Sequence, residues 1–155
     1  MQTDPNFANY HYDPVSKRIV LFDFGATRSL SPTTVKQYRV LLQHALAGEA
    51  GGILKAAVEF GFINQYTAQK YEVSISEMIM IAVAMLNKDG KLDFSDNAII
   101  DEMRKHITEL AVDRDNWHIP QVDTLFVQRK LGGVYLLASK LKAQVDVRAM
   151  LLRYL

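Results

Sequence analysis

The hydrophobic period of this chain changes once, near Arg28, and that change limits the possible fold more than any other feature. Ahead of it, residues 9–12 and 18–22 are rich in aromatic and β-branched side chains and flank Asp13-Pro14-Val15-Ser16-Lys17, a turn-forming interval. The pattern predicts a two-stranded ribbon. Such a ribbon is marginal alone and has to lie against something larger, and the rest of the chain offers helices. Ser31 is placed to cap a first helix, with Pro32 at its first position and Val35, Tyr38, Leu41, Leu42 and Ala45 recurring at helical spacing to about Ala47. A second helix is expected over 51–60, burying Ile53, Ala56, Ala57 and Phe60, with Gly61 suited to a left-handed end. Ser74-Ile75-Ser76-Glu77 matches a capping box and predicts a helix starting there and reaching about Asn87; its nearly all-round apolar character implies a central position. Ser95 is expected to cap a fourth helix carrying Ile99, Ile100, Met103, Ile107 and Leu110, followed by a polar interval at 113–116. Pro120 opens a long fifth helix with apolar positions at Val122, Leu125, Phe126, Leu136, Leu137 and Leu141, and Asp146 caps a short last one. Gly132 and Gly133 inside the fifth helix each cost about 1 kcal/mol relative to alanine, which points to close packing or a kink. The expected architecture is one mainly α domain over 1–155, with loops and a small β-hairpin in 1–28 and helices over 29–155.

Composition narrows the functional classes. The 155 residues are 49% apolar and 23% charged, enough for a core and against disorder. No cysteine is present, which excludes thiolate zinc sites, thiol catalysis and a disulfide framework. A formal net charge of +1 supplies no basic excess for phosphate backbones, so nucleic acid is not an expected partner. The longest apolar run, residues 78–86, falls well short of the about 20 needed to cross a bilayer. Residues 1–9 lack a basic stretch followed by an apolar one, so no targeting signal is expected, and the location expected is cytoplasmic or peripheral to a membrane.

The chemistry-bearing residues gather around the predicted ribbon. Asp4 precedes its first strand, Asn9 closes the loop at the start of that strand, and Asp23-Phe24-Gly25 follows its second. Antiparallel pairing carries the start of one strand to the end of the other, so Asn9 and Asp23 should meet at one end of the hairpin. One carboxylate and one amide oxygen are a reasonable protein contribution to magnesium, which keeps several waters and takes further oxygens from substrate phosphates. Two carboxylates, Asp4 and Asp23, brought close together would repel, and a divalent cation removes that cost. Read singly, Asp4 and Asn9 serve as turn caps and Asp23 as a strand end; read together and in order, they form the large-lobe half of a kinase-type site.

Quoted in full, Gln2-Thr3-Asp4-Pro5-Asn6-Phe7-Ala8-Asn9 followed by Leu21-Phe22-Asp23-Phe24-Gly25-Ala26-Thr27-Arg28 resembles the UbiB/AarF family of atypical kinases. Arg129-Lys130-Leu131-Gly132-Gly133 and Ser139-Lys140-Leu141-Lys142-Ala143 are similar to that family's distal region, so the likeness spans nearly the whole chain but only the carboxy-terminal lobe portion of the family domain. The resemblance implies a truncated large lobe of a protein-kinase-like fold, with Asp4 as acid/base or substrate-orienting residue and Asn9 and Asp23 as magnesium and nucleotide ligands. It implies Mg2+ and ATP as cofactors of the complete protein, ATP hydrolysis or phosphoryl transfer as the reaction, and a link to ubiquinone biosynthesis. Many relatives carry histidine and glycine where this chain has Asn6 and Ala8, a departure that leaves the metal ligands in place. Ahead of Asp4 there is no phosphate loop and no lysine and glutamate pair, so the nucleotide would lack most of its cradle and the isolated chain is expected to be inactive. Expected partners are the missing upstream kinase lobe or a second copy, and a lipid or quinone-pathway protein. The alternative class is a stand-alone interaction module on a kinase-derived scaffold without catalysis.

Other motifs carry less. Asn87-Lys88-Asp89-Gly90-Lys91-Leu92-Asp93 suggests a calcium loop, but aligning Gly90 with the turn glycine places Met85 at the first ligand position, which leaves a solvated turn. His11, His44, His106 and His118 show no metal-binding pair at helical spacing. The methionines and leucines of 78–86 read as core.

Overall fold

In the computed structural model, which describes residues 1–96, 98–113 and 120–155, the first thirty residues form the expected ribbon. Strand β1 (Tyr10–Asp13) pairs antiparallel with β2 (Arg18–Leu21), placing Tyr10 opposite Leu21 and Asp13 opposite Arg18. Asp13 builds the turn: its carboxylate accepts from the Val15 amide at 2.9 Å and the Ser16 hydroxyl, and Lys17 takes φ 55°. The ribbon lies open to solvent, with Ile19, Leu21 and Phe22 all exposed.

The helices follow in the order α1 (Pro32–Leu46), α2 (Ala50–Glu59), α3 (Gln65–Lys70), α4 (Glu72–Asn87), α5 (Ala98–Val112), α6 (Val122–Lys140) and α7 (Val147–Leu151). The Ser31 hydroxyl accepts from the Thr34 amide at 3.0 Å, and Asp146 accepts from the Ala149 amide at 2.8 Å, so both expected caps are formed. Helix α2 ends as expected, with Gly61 at φ 72°. Of its expected core positions Ala56 is buried, whereas Ile53, Ala57 and Phe60 are only half covered. Helix α4 is central: it packs against α1, α2, α3, α5 and α7.

Two readings of the sequence require correction, both of helix caps. The capping box at Ser74 does not start α4, which begins two residues earlier; Ser74 is buried inside the helix and its hydroxyl donates to Glu109 of α5. A local signal is overridden here by a partner on the neighbouring helix. Ser95 turns its hydroxyl back to Asp93 at 2.7 Å, and Asp96 instead takes the first amide of α5, that of Ala98, at 2.9 Å. The apolar positions of α6 are largely uncovered, with Val122, Leu125, Leu136 and Leu141 exposed and only Thr124 and Val127 buried. The sequence also gave no warning of α3, capped by Asn64 accepting from Thr67 at 2.7 Å, or of a short ribbon joining β3 (Leu92–Asp93) to β4 (Gln144–Val145). His118 and residues 114–116 of the expected polar interval lie outside the described residues. Among the described residues, no helix is long and apolar enough to cross a membrane.

Helix α6 reaches back to the start of the chain. Asp123, in its first turn, accepts from the Ser31 amide at 3.0 Å and from Thr34 Oγ1 at 3.2 Å, and pairs with Arg28 Nε at 2.9 Å. The Arg28 guanidinium also lies 5.1 Å from the ring centre of Phe126. At the other end, Lys140 Nζ sits 4.3 Å from the ring centre of Phe7, and Tyr135 packs edge-on against Phe94 of the second ribbon at 5.3 Å.

Candidate functional site

The two motif segments are fastened to one another at both ends. Beyond Tyr10 and Leu21 the ladder continues with the Phe22 amide donating to the Asn9 carbonyl at 3.0 Å. At the far end, Thr3 donates to the Ala26 carbonyl through its amide at 2.7 Å and its hydroxyl at 2.9 Å, and the Arg28 amide donates to Met1 at 2.8 Å. Thr3 is buried, and Gln2 bridges to Thr27. Residues 4–8 and 23–25 lie between these fastenings; Asp4 and Asp23 sit on this closed loop, and Asn9 forms one of its fastenings.

Local chemistry shapes each side. Asn6 folds the first segment: its side chain accepts from the Ala8 amide at 3.1 Å and its carbonyl from the Asn9 amide at 3.0 Å, closing a 3-10 turn over Phe7–Asn9. On the second, Asp23 Oδ1 accepts from the Gly25 amide at 2.7 Å. A β-carbon at position 25 would stand 3.1 Å from that oxygen, so the turn favours glycine two residues after the aspartate.

The hairpin makes Asn9 and Asp23 near neighbours along the paired backbone, Asp23 following the residue bonded to Asn9. Asp4 lies nearer the other fastening, where its Oδ1 accepts from Arg129 Nη2 of α6 at 2.9 Å. Among the described residues, no hydrogen bond joins the three side chains to one another, the Asn9 carboxamide is uncommitted, and Asp23 uses only Oδ1. Also among the described residues, no group of three or more His, Cys, Asp or Glu converges into a metal cage.

Sequence reasoning missed the residues that hold this loop from outside. Gln2, Asp123, Arg129 and Lys130 are all engaged between the motif segments and α6. The sequence signal was the run around Arg129–Gly133, noted for its likeness to a family and for its two helix-weakening glycines. Only Gly133 has a packing reason: a β-carbon there would fall 2.2 Å from Pro5 Cγ, whereas one at Gly132 would meet nothing within 4 Å.

Comparison with known proteins agrees with the motifs. The ABC1 atypical kinase-like domain matches residues 1–57, which include both motif segments and α1. The Saccharomyces cerevisiae protein named atypical kinase COQ8, mitochondrial, is 29% identical over 147 residues, covering 94% of this chain and 29% of that protein. The Caenorhabditis elegans atypical kinase coq-8, mitochondrial, is 32% identical over 150 residues, with 94% of this chain and 20% of the relative covered. The Danio rerio atypical kinase COQ8B, mitochondrial, is 28% identical over 152 residues, covering 98% of this chain and 24% of the relative. The chain thus spans less than a third of the length of these relatives. Its motifs, its mainly helical build and these likenesses together support the UbiB/AarF family of atypical kinases for this chain, with the ABC1 match lying over residues 1–57.

Proposed function

We propose that this chain supplies the metal-facing and substrate-facing loops of a magnesium-dependent ATPase or phosphoryl-transfer site, within a protein linked to ubiquinone biosynthesis. The observation that carries the reading is the double fastening of the two motifs, with Asn9 bonded through its carbonyl to Phe22, next to Asp23. In this reading Asn9 and Asp23 hold the cation through side-chain oxygens. Magnesium, when bound, screens the charge of the phosphate oxygens and orients them. Asp4 orients the attacking hydroxyl or water and accepts its proton as the new bond to the terminal phosphorus forms and the bond to the departing nucleoside diphosphate breaks. Phosphoryl transfer depends mainly on positioning and charge stabilisation, so a chain spanning a quarter or so of its relatives is expected to bind nucleotide weakly and to turn it over little without the remaining cradle.

Isothermal titration with magnesium and ADP, on this chain and on the full-length gene product that carries it, tests the assignment. Asp23→Ala is expected to abolish the magnesium-dependent part of binding. Equal tight binding by the variant rejects the assignment.

A second reading, a non-catalytic interaction module, draws support from the ribbon, where Ile19, Phe22 and Phe24 are between 63% and 67% exposed. Apolar side chains gathered on one small ribbon favour a covering partner, here either the rest of a family domain or a second copy of the chain.

A further inference from the structure

We infer that Arg129, together with Lys130 acting through Gln2, positions Asp4 for its reaction; this rests on the role given to Asp4 above. The two residues are adjacent on α6 and hold different atoms of the same aspartate. Arg129 Nη2 donates to Asp4 Oδ1 at 2.9 Å. Lys130 Nζ donates to Gln2 Oε1 at 3.0 Å, and the other end of that amide, Nε2, donates to the Asp4 carbonyl at 2.6 Å.

The donor chemistry makes this arrangement one-way. A lysine ammonium has only donors, so it fixes the oxygen end of the Gln2 amide toward α6 and leaves the nitrogen end facing Asp4. Tyr10 reinforces the choice by donating its hydroxyl to the same Oε1 at 3.1 Å. The Asp4 carbonyl also accepts from the Asn6 amide at 2.8 Å, so the backbone of Asp4 is held from two sides while Arg129 holds one carboxylate oxygen. The other oxygen, Oδ2, has no partner among the described residues and is left for substrate.

Stability does not account for the Arg129 pair. Its side chains are 63% and 39% exposed, and an ion pair so exposed adds little to folding. Its effect is to select one rotamer of Asp4, and a reacting group displaced by an ångström costs far more in rate than in stability.

The test is steady-state MgATP hydrolysis by the full-length gene product that carries this sequence, with kcat and KM measured for wild type, D4N, R129M, R129K, Q2E and the D4N/R129M pair, each checked for an unchanged melting temperature. D4N is expected to lower kcat by about 100-fold or more. R129M is expected to lower kcat about 10-fold with KM for MgATP unchanged within about twofold, and R129K to recover most of that loss. Q2E keeps the acceptor for Lys130 and Tyr10 but has no donor for the Asp4 carbonyl, so it is expected to lose about 10-fold as well. In the D4N background, R129M should cause no further loss, because nothing remains to position.

Loss from R129M that is equal in both backgrounds, or no loss in the wild-type background, overturns the positioning role and leaves Asp4 standing. Wild-type kcat in D4N, or no turnover by the wild-type protein, overturns the reading of Asp4 itself and the positioning role with it.

Discussion

The ring of Pro5 rests directly on the backbone of α6 at Gly133, so that a β-carbon on that glycine would fall 2.2 Å from Pro5 Cγ. Residue 5 follows Asp4, and Gly133 lies one helical turn beyond Arg129, so the contact sets how closely the first motif approaches the helix. Gly133→Ala must push the proline ring away and is expected to destabilise the chain by about 1–3 kcal/mol. Gly132→Ala meets nothing and is expected to stabilise by about 0.5–1 kcal/mol through helix propensity alone. Urea unfolding of both variants checks the opposite signs.

Asp123 gives the fold an acid-sensitive link. The Ser31 amide and the Arg28 guanidinium, with Thr34 in support, hold its carboxyl below the usual carboxylate range. A carboxylate depressed on folding contributes stability that is complete above its unfolded value, about 3.9, and is lost as pH falls through the lower folded value. Asp123→Asn is therefore expected to melt lower than wild type at pH 7, with the gap narrowing as the pH falls below about 3.9. Thermal melts at pH 7, 5, 4 and 3 measure the gap.

Asn87 ties the ends of two helices together. Its Nδ2 donates to the Ala45 carbonyl of α1 at 2.6 Å and to Val83 in its own helix at 3.1 Å. Asn87→Ala removes one of the donors to the carbonyl of buried Ala45, which keeps the Gly48 amide at 3.1 Å, and is expected to cost about 0.5–1.5 kcal/mol. Asn87→Asp, which cannot donate, should lose at least as much in a denaturant titration at pH 7.

The exposed ribbon is expected to draw copies of the isolated chain together. Light scattering across concentration should show a rising mass, and Ile19→Lys, at a position 67% exposed, should reduce it without altering the melting temperature. A constant monomer mass at every concentration would count against this expectation.

Features governed by near neighbours in sequence were the legible ones. Ser31 and Asp146 cap because their acceptors lie three residues from the amides they satisfy. The hairpin follows from alternation around a turn, and its pairing fixes which residues end up beside Asn9. The capping box at Ser74 misled because the same serine has a better use on α5, which no local rule weighs. Asp4 could be named as a candidate, but not its hold on Arg129, because packing and not spacing joins residues so far apart. The paired glycines announced a close approach, yet only the folded arrangement tells which of them is approached, and by what.

Asp4, Gln2 and Arg28 all depend on side chains of α6, which lies far downstream of them in the chain. Until α6 has been made, these loops have no helix to seat them. The site therefore cannot mature before α6 has been synthesised, and a premature stop before α6 would release loops with no seat.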